Sequence, residues 1–290
     1  MMILRHALAT AIVLGAVVAT NGQGTANRGN ARAVTIDVSV SADDRMVSDL
    51  GLGNFEVRDD GVPQVIAAFA EETRPIEVTL LIQVTPAGRS ALADAVTLVA
   101  GALRPDDRLS ILTIGKQIRQ VAIPAAGAIS LPLDDERSTP LYDAMAVALT
   151  LTPTTGRRAL AVVFSNGEET GSFLHEPFVT DLAEHTDAVI DVIIPARPGT
   201  RGGSPSQEWG YVYPAALGRI TWATGGSLRV LKPRDAIGDA FVRAIEEARS
   251  TYRLSFTPGG VKPGGWHHIE VRVKRKGDYV VRTRSGYFGG

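Results

Sequence analysis

The chain has 290 residues, 44% hydrophobic and 21% charged, with 30 basic and 31 acidic side chains, five histidines and no cysteine. A formal charge of −1 argues against a nucleic-acid binder held by a basic face. Without cysteine there are no disulfides, thiol nucleophiles, thiolate zinc centres or iron–sulfur ligands, and five scattered histidines leave little room for a His-rich metal centre.

The chain opens with a short basic start, Arg5 and His6, and an apolar run from Ala7 to Ala19. At about 13 residues the run is too short to cross about 30 Å of hydrocarbon as a helix. Small residues at Val17-Val18-Ala19, before polar Thr20-Asn21-Gly22-Gln23, suit signal-peptidase cleavage. Residues 1–19 are therefore expected to be a signal peptide and 20–31 a flexible spacer. The product would be secreted or periplasmic, with no membrane span after cleavage.

Residues 32–74 alternate apolar and polar side chains. Strands are expected over Ala33–Val40, Asn54–Arg58 and Gln64–Phe69, with Asp59-Asp60-Gly61 as a hairpin turn, together a small β meander. Residues 75–249 have a different texture. Nearly continuous apolar runs at Val78–Ile82, Arg108–Ile114, Arg158–Ser165 and Ala188–Ile194 read as strands covered on both faces. Shorter strands are expected over Gln117–Ile123 and Ser227–Leu231. Helical spacing covers Ser90–Leu103, Thr139–Leu151, Phe178–Thr186, Ala215–Ala223 and Asp235–Ala248, and Pro195–Trp209 reads as a loop. Such alternation predicts an open, doubly wound, mostly parallel α/β sheet. Residues 250–290 return to period 2 over Tyr252–Phe256, His268–Val273 and Tyr279–Thr283. Each flank is too small to stand alone, so the two are expected to combine into one antiparallel β-sandwich with the α/β domain inserted between them.

Ligands of open α/β sheets bind outside the carboxyl ends of the strands. Those positions hold Gln83-Val84-Thr85-Pro86-Ala87, Arg137-Ser138-Thr139-Pro140-Leu141-Tyr142-Asp143-Ala144 and Asn166-Gly167-Glu168-Glu169-Thr170. Here the chain resembles the von Willebrand factor A-type domain, and more narrowly the bacterial VWFA-related, acidobacterial-type family. Asp49-Leu50, Asn54-Phe55-Glu56-Val57, Asp60-Gly61 and Phe69 resemble that family's N-terminal segment. Tyr252-Arg253-Leu254-Ser255-Phe256-Thr257-Pro258 and Val281 to Phe288 resemble its C-terminal signature. The resemblance thus covers nearly all of the chain beyond the leader.

It implies a metal-ion-dependent adhesion site with the pattern D-x-S-x-S, a Thr before a central helix and an Asp after a later strand. Carried over by position, Gln83 and Asn166 stand for the acids, Thr85 and Ala87 for the serines, and Thr139 for the threonine. The motif's formal charge falls from −2 to zero, and Mg²⁺ favours charged hard oxygens. The expectation is a degenerate site that holds no Mg²⁺, unless Asp143, Glu168 or Glu169 substitutes as ligand.

Other candidates are weaker. Gly225-Gly226 lacks the Lys-Ser/Thr of a phosphate loop and reads as a helix end. His267 and His268 point to opposite faces of a strand and read as turn-end residues. Ser165, His175 and Asp181 make a triad only on paper, because no G-x-S-x-G elbow surrounds a serine. Arg272, Lys274-Arg275-Lys276, Arg282 and Arg284 read as a solvated basic edge. Trp209, Tyr211 and Tyr213 are equally good as partner anchors or as pins for their own loop. The sequence thus points to an exported, non-enzymatic protein-interaction or adhesion module acting without metal. The alternatives are Mg²⁺-dependent adhesion through substitute carboxylates and a structural part of a cell-envelope assembly.

Overall fold

The structure, a computed structural model, describes residues 32–85, 88–124, 129–133, 138–151, 153–196 and 213–289, with the backbone alone for residues 213 and 214. The expected signal peptide (1–19) and spacer (20–31) lie outside the described residues. Alternation in the first segment yields β1 (Val34–Ala42), with Ile36, Val38 and Val40 turned inward. Asp43 and Asp44, both at positive φ, turn the chain back into β2 (Arg45–Met46). β3 (Phe55–Asp59) and β4 (Val62–Gln64) close around Asp60-Gly61, at φ 46° and 80°. That positive pair lets a two-residue connection follow the strand twist. The strand expected over Gln64–Phe69 is broken. Val65, 85% exposed, separates β4 from β5 (Ile66–Glu71), and the halves join different sheets. The expected meander thus gives way to two short hairpins, β1–β2 and β3–β4, because the remaining strands find distant partners.

The middle of the chain runs β6 (Ile76–Gln83), α1 (Arg89–Ala102), β7 (Arg108–Ile114), β8 (Arg119–Gln120), α2 (Leu141–Thr150), β9 (Arg158–Phe164), α3 (Glu176–Glu184), β10 (Val189–Ile194), α4 (Tyr213–Thr224), β11 (Leu228–Val230) and α5 (Ile237–Arg249). The strand order is β11-β10-β9-β6-β7-β8, parallel throughout except for the edge pair β7–β8. Leu80, Leu81 and Ile82 have no exposed surface, which explains their unbroken apolar run. One apolar cluster packs α1 and α5 on one face of the sheet, and a second packs α2, α3 and α4 on the other. From β6 the chain goes to β7 on one side and later returns to β9 on the other, so strand order reverses between β6 and β9. Such a reversal is where open α/β sheets place their ligand crevice, outside the carboxyl ends of the strands. α4 ends in a paired cap: Gly225 N–H donates to Trp222 O (3.1 Å) and Gly226 N–H to Thr221 O (2.9 Å), with Gly225 at φ 78°. A Cβ on Gly226 would sit 2.1 Å from Ile190 O, so this glycine also permits close backbone approach.

The chain closes with β12 (Thr251–Phe256), β13 (Gly265–Val273), β14 (Val280–Arg282) and β15 (Gly286–Gly289). One flanking sheet has the order β14-β1-β12-β5, with β2 beside β1, and the other β15-β13-β3-β4. Ile36, Val38, Tyr252 and Leu254 from the first share a single apolar cluster with Phe55, Val57, Ile269 and Tyr287 from the second.

These sheets attach at the amino ends of the parallel strands. Arg158, at the start of β9, donates to Ala248 O (2.6 Å) and Thr251 Oγ1 (3.2 Å), and its Nε lies 2.9 Å from Asp37 Oδ2. Arg282 donates to Glu247 (2.8 Å), and Arg284 to Asp187 (2.7 Å) and Glu184 O (3.0 Å). Arg282 and Arg284 are therefore joint residues rather than the expected solvated edge, because α5 and the α3–β10 connection bring acceptors to them. His267 is likewise not a turn-end residue: it is 2% exposed inside β13, against Asp59 and Tyr287.

Candidate functional site

Attachment at the amino ends leaves the opposite end of the sheet, with its crevice, to the loops that follow β6 and β9. Gln83, the last residue of β6, forms the floor. Its Oε1 accepts from Ser165 Oγ (2.9 Å) and from the Asn166 backbone N–H (2.9 Å), and its Nε2 donates to Thr139 Oγ1 (3.0 Å). A backbone N–H can only donate, so the atom facing Asn166 N is the carbonyl oxygen and the amide nitrogen faces Thr139. Ser165 Oγ, fully buried, also accepts from Gly167 N–H (3.1 Å). That hydroxyl is committed to holding the floor through Gln83 and Gly167, not to His175 or Asp181.

The Asn166 side chain turns away from Gln83. It accepts from Glu168 N–H and donates to Glu168 Oε2, each at 3.0 Å, closing the turn after β9. Thr139 exchanges backbone hydrogen bonds with Thr170 (3.3 and 3.1 Å) and its N–H also reaches Thr170 Oγ1 (3.0 Å). Helix α2 therefore starts at Leu141, not at Thr139 as the spacing predicts. Thr85 is exposed, and its Oγ1 accepts from Gly88 N–H (3.2 Å). Ala87, Trp209 and Tyr211 lie outside the described residues, and Tyr213 is described only as the first backbone position of α4. The structure thus joins Gln83, Thr139 and the Asn166 backbone through hydrogen bonds, while Thr85 bonds within its own turn.

These residues do not fit a divalent cation. A hard cation needs converging oxygens with negative charge. Here an N–H points to the threonine hydroxyl, and the amide oxygen is spent on two donors. The possible substitutes are occupied as well. Glu169 Oε2 accepts from Tyr142 N–H at the start of α2 (3.0 Å) and from Ser172 Oγ (2.8 Å), while Oε1 accepts from Ser172 N–H (2.8 Å). A carboxylate at a helix N-terminus satisfies free N–H groups and the helix dipole. Asp143 accepts from Phe173 N–H (3.0 Å) and Leu174 N–H (2.9 Å) with its two oxygens. Glu168 serves the Asn166 turn.

What the two acids accomplish is to brace the loop between β9 and α3. Pinned by its backbone, Phe173 stands 92% exposed at that rim. Its signal in the sequence is an isolated aromatic in the polar loop Thr170-Gly171-Ser172-Phe173 beside the strand ends.

The fold class is an open α/β sheet of Rossmann-like layout, with two antiparallel sheets appended at its amino end. Solved structures similar to this chain include the SpRpn10 VWA domain (14% identity, 57% of this chain and 93% of that one, TM-score 0.38). Others are an aerotolerance-related membrane protein from Bacteroides fragilis (13% identity, 60% and 98%, TM-score 0.40) and a von Willebrand factor type A protein from Catenulispora acidiphila (9% identity, 88% and 73%, TM-score 0.46). No protein-family model matches the sequence, and no curated protein matches it. Among the described residues no helix is long and apolar enough to cross a membrane.

Proposed function

We propose that this chain is an exported, non-enzymatic VWA-like module that binds a protein partner through the loops at the carboxyl ends of its parallel strands, without a bridging metal. One observation carries the reading. The crevice floor is closed by the Gln83 amide, while the acids nearest to it brace a loop that presents Phe173, 92% exposed. Interface anchors are large side chains held in place before the partner arrives, so that little entropy is lost on binding. Burying one phenylalanine contributes about 2–3 kcal/mol. The flanking sheets, taken as one sandwich through their shared core, hold the module at its other end and leave this rim open.

The test is capture of a partner from the producing cell's envelope fraction by wild type, Phe173→Ser and Thr139→Val, each with EDTA or with Mg²⁺. Capture should survive EDTA and fall at least tenfold in Phe173→Ser, with thermal unfolding of that variant unchanged. Capture lost in EDTA, or equal for wild type and Phe173→Ser, overturns the proposal. Export is tested separately: the N-terminus of the protein recovered outside the cytoplasm should begin just after Ala19.

A further inference from the structure

A second polar cluster lies in the flanking sheets, remote in sequence and in chemistry from the crevice. Asp59 and Asp60 sit at the β3–β4 turn, and His267 lies on the neighbouring strand β13. We propose that Asp59, Asp60 and His267 form a site for a first-row transition-metal ion, with Zn²⁺ preferred over Mg²⁺ and Ca²⁺.

The geometry is that of a preformed three-ligand face. Each residue offers one ligand atom, and the three atoms lie within 4.8 Å of one another, the one such group among the described residues. His267 Nδ1 is 2.9 Å from Asp59 Oδ1 and 3.4 Å from Asp60 Oδ2. Zinc bonds of about 2.0–2.2 Å in a tetrahedron set ligand edges of about 3.3–3.5 Å. The His267–Asp60 edge already has that length, the His267–Asp59 edge must open by about half an ångström, and the Asp59–Asp60 edge lies within 4.8 Å. On binding, the ion takes the Nδ1 lone pair; the proton shared between Nδ1 and Asp59 moves to Nε2 or, where Nε2 already carries one, leaves to solvent, so that the bound imidazole is neutral with its proton at Nε2.

The ligands are also held from behind, as metal ligands are. Asp59 gives its other oxygen to the Tyr287 hydroxyl (2.6 Å), and Asp60 gives its other oxygen to the His268 backbone N–H (2.9 Å). The His267 ring stacks on Tyr287 with centroids 4.9 Å apart. Gly289 closes its far edge, where a Cβ would lie 2.7 Å from Nε2. Neither carboxylate nor ring is free to swing away.

Charge supplies an independent argument. Asp59 has no exposed surface, yet among the described residues no lysine or arginine forms an ion pair with it or with Asp60; the group that both carboxylates face is the His267 ring nitrogen. A buried carboxylate is costly without a cation. Two carboxylates converging on one imidazole nitrogen make a donor set that suits zinc, whereas Mg²⁺ and Ca²⁺ favour oxygen alone. The Asp60 side chain, 43% exposed, gives the ion an entrance and a place for a water as fourth ligand. A bound ion would staple the β3–β4 turn to β13 in a chain that has no cysteine for a disulfide.

The experiment is calorimetric titration of the full untagged chain with Zn²⁺, Mg²⁺ and Ca²⁺, together with thermal unfolding in each. Asp60→Asn is the diagnostic variant, because its amide oxygen can still accept from His268 N–H while the charged ligand oxygen is lost. One Zn²⁺ per chain at micromolar or tighter Kd, a raised melting temperature, and at least tenfold weaker binding by an Asp60→Asn protein that unfolds normally without metal are expected. No Zn²⁺ binding at millimolar concentration overturns the site. Binding unchanged in Asp60→Asn, which would mark surface histidines instead, also overturns it, and equal affinity for Mg²⁺ or Ca²⁺ overturns the stated preference.

Discussion

Replacing Gln83 by methionine tests the crevice floor directly, since the side chains are similar in length and differ mainly in the amide. The variant removes three hydrogen bonds: those from Ser165 Oγ and the Asn166 N–H, and that to Thr139 Oγ1. Thr139 loses little, because its hydroxyl can reorient. The Ser165 hydroxyl proton and the Asn166 N–H lose their acceptor in a place where Ser165 has no exposed surface. Leaving a buried donor unsatisfied costs about 1–3 kcal/mol, so the pair costs about 2–6 kcal/mol. The thioether recovers about 1 kcal/mol through its added apolar burial.

The expected net loss is about 1–5 kcal/mol, or about 3–15 °C in melting temperature at about 3 °C per kcal/mol for a domain of this size. Glutamate at the same position is the control. One oxygen still accepts both donors and the Thr139 hydroxyl rotates to donate to the other, so the loss should stay below about 1 kcal/mol. Urea unfolding followed by circular dichroism measures both. A methionine variant within about 0.5 kcal/mol of wild type would refute the view that Gln83 organises this crevice.

Two further predictions concern the joint between the sheets. Burial pushes the Glu72 carboxyl up, but the hydrogen bonds and charges of Arg74 and Arg158 outweigh it and hold it down to about 2. Its folded value lies below its unfolded value of 4.5, so its stabilisation is full above pH 4.5 and is lost as pH falls toward 2. Glu72→Gln should flatten that part of the acid-unfolding profile, and an unchanged slope there would contradict the assignment. Glu247, buried, accepts from Arg229 and Arg243 (both 2.9 Å) and Arg282 (2.8 Å). Glu247→Ala leaves three guanidinium groups facing one another and should cost about 3 kcal/mol in chemical denaturation. A change below about 0.5 kcal/mol would show that these pairs act as ordinary surface contacts.

Much of the fold was legible because period and apolar runs are local signals. The run Val78–Ile82 marked a strand covered on both faces, and the Asp60-Gly61 turn was readable from two residues. Val65 was not legible as a break, since nothing in its neighbours says that the chain changes sheets there. At the site, the neutral amides of Gln83 and Asn166 were visible in the sequence. That the Gln83 amide would tie Thr139 to the β9 turn was not, because its partners come from 56 and 82 residues away. Asp143 and Glu169 could be read as spare ligands until the loop that they brace was seen.

The sequence alone determined most of the strands and helices, where the texture changes, and that Gln83, Thr85, Ala87, Thr139 and Asn166 carry no formal charge. Those properties follow from the order of neighbouring residues and from side-chain type. The tertiary structure decided which groups meet. It sent Arg282 and Arg284 to the joint, buried His267 beside Asp59 and Tyr287, and raised Phe173 on a braced rim. Hydrogen bonds and ion pairs depend on distances of about 3 Å between residues that can be 200 positions apart, and only packing sets those distances.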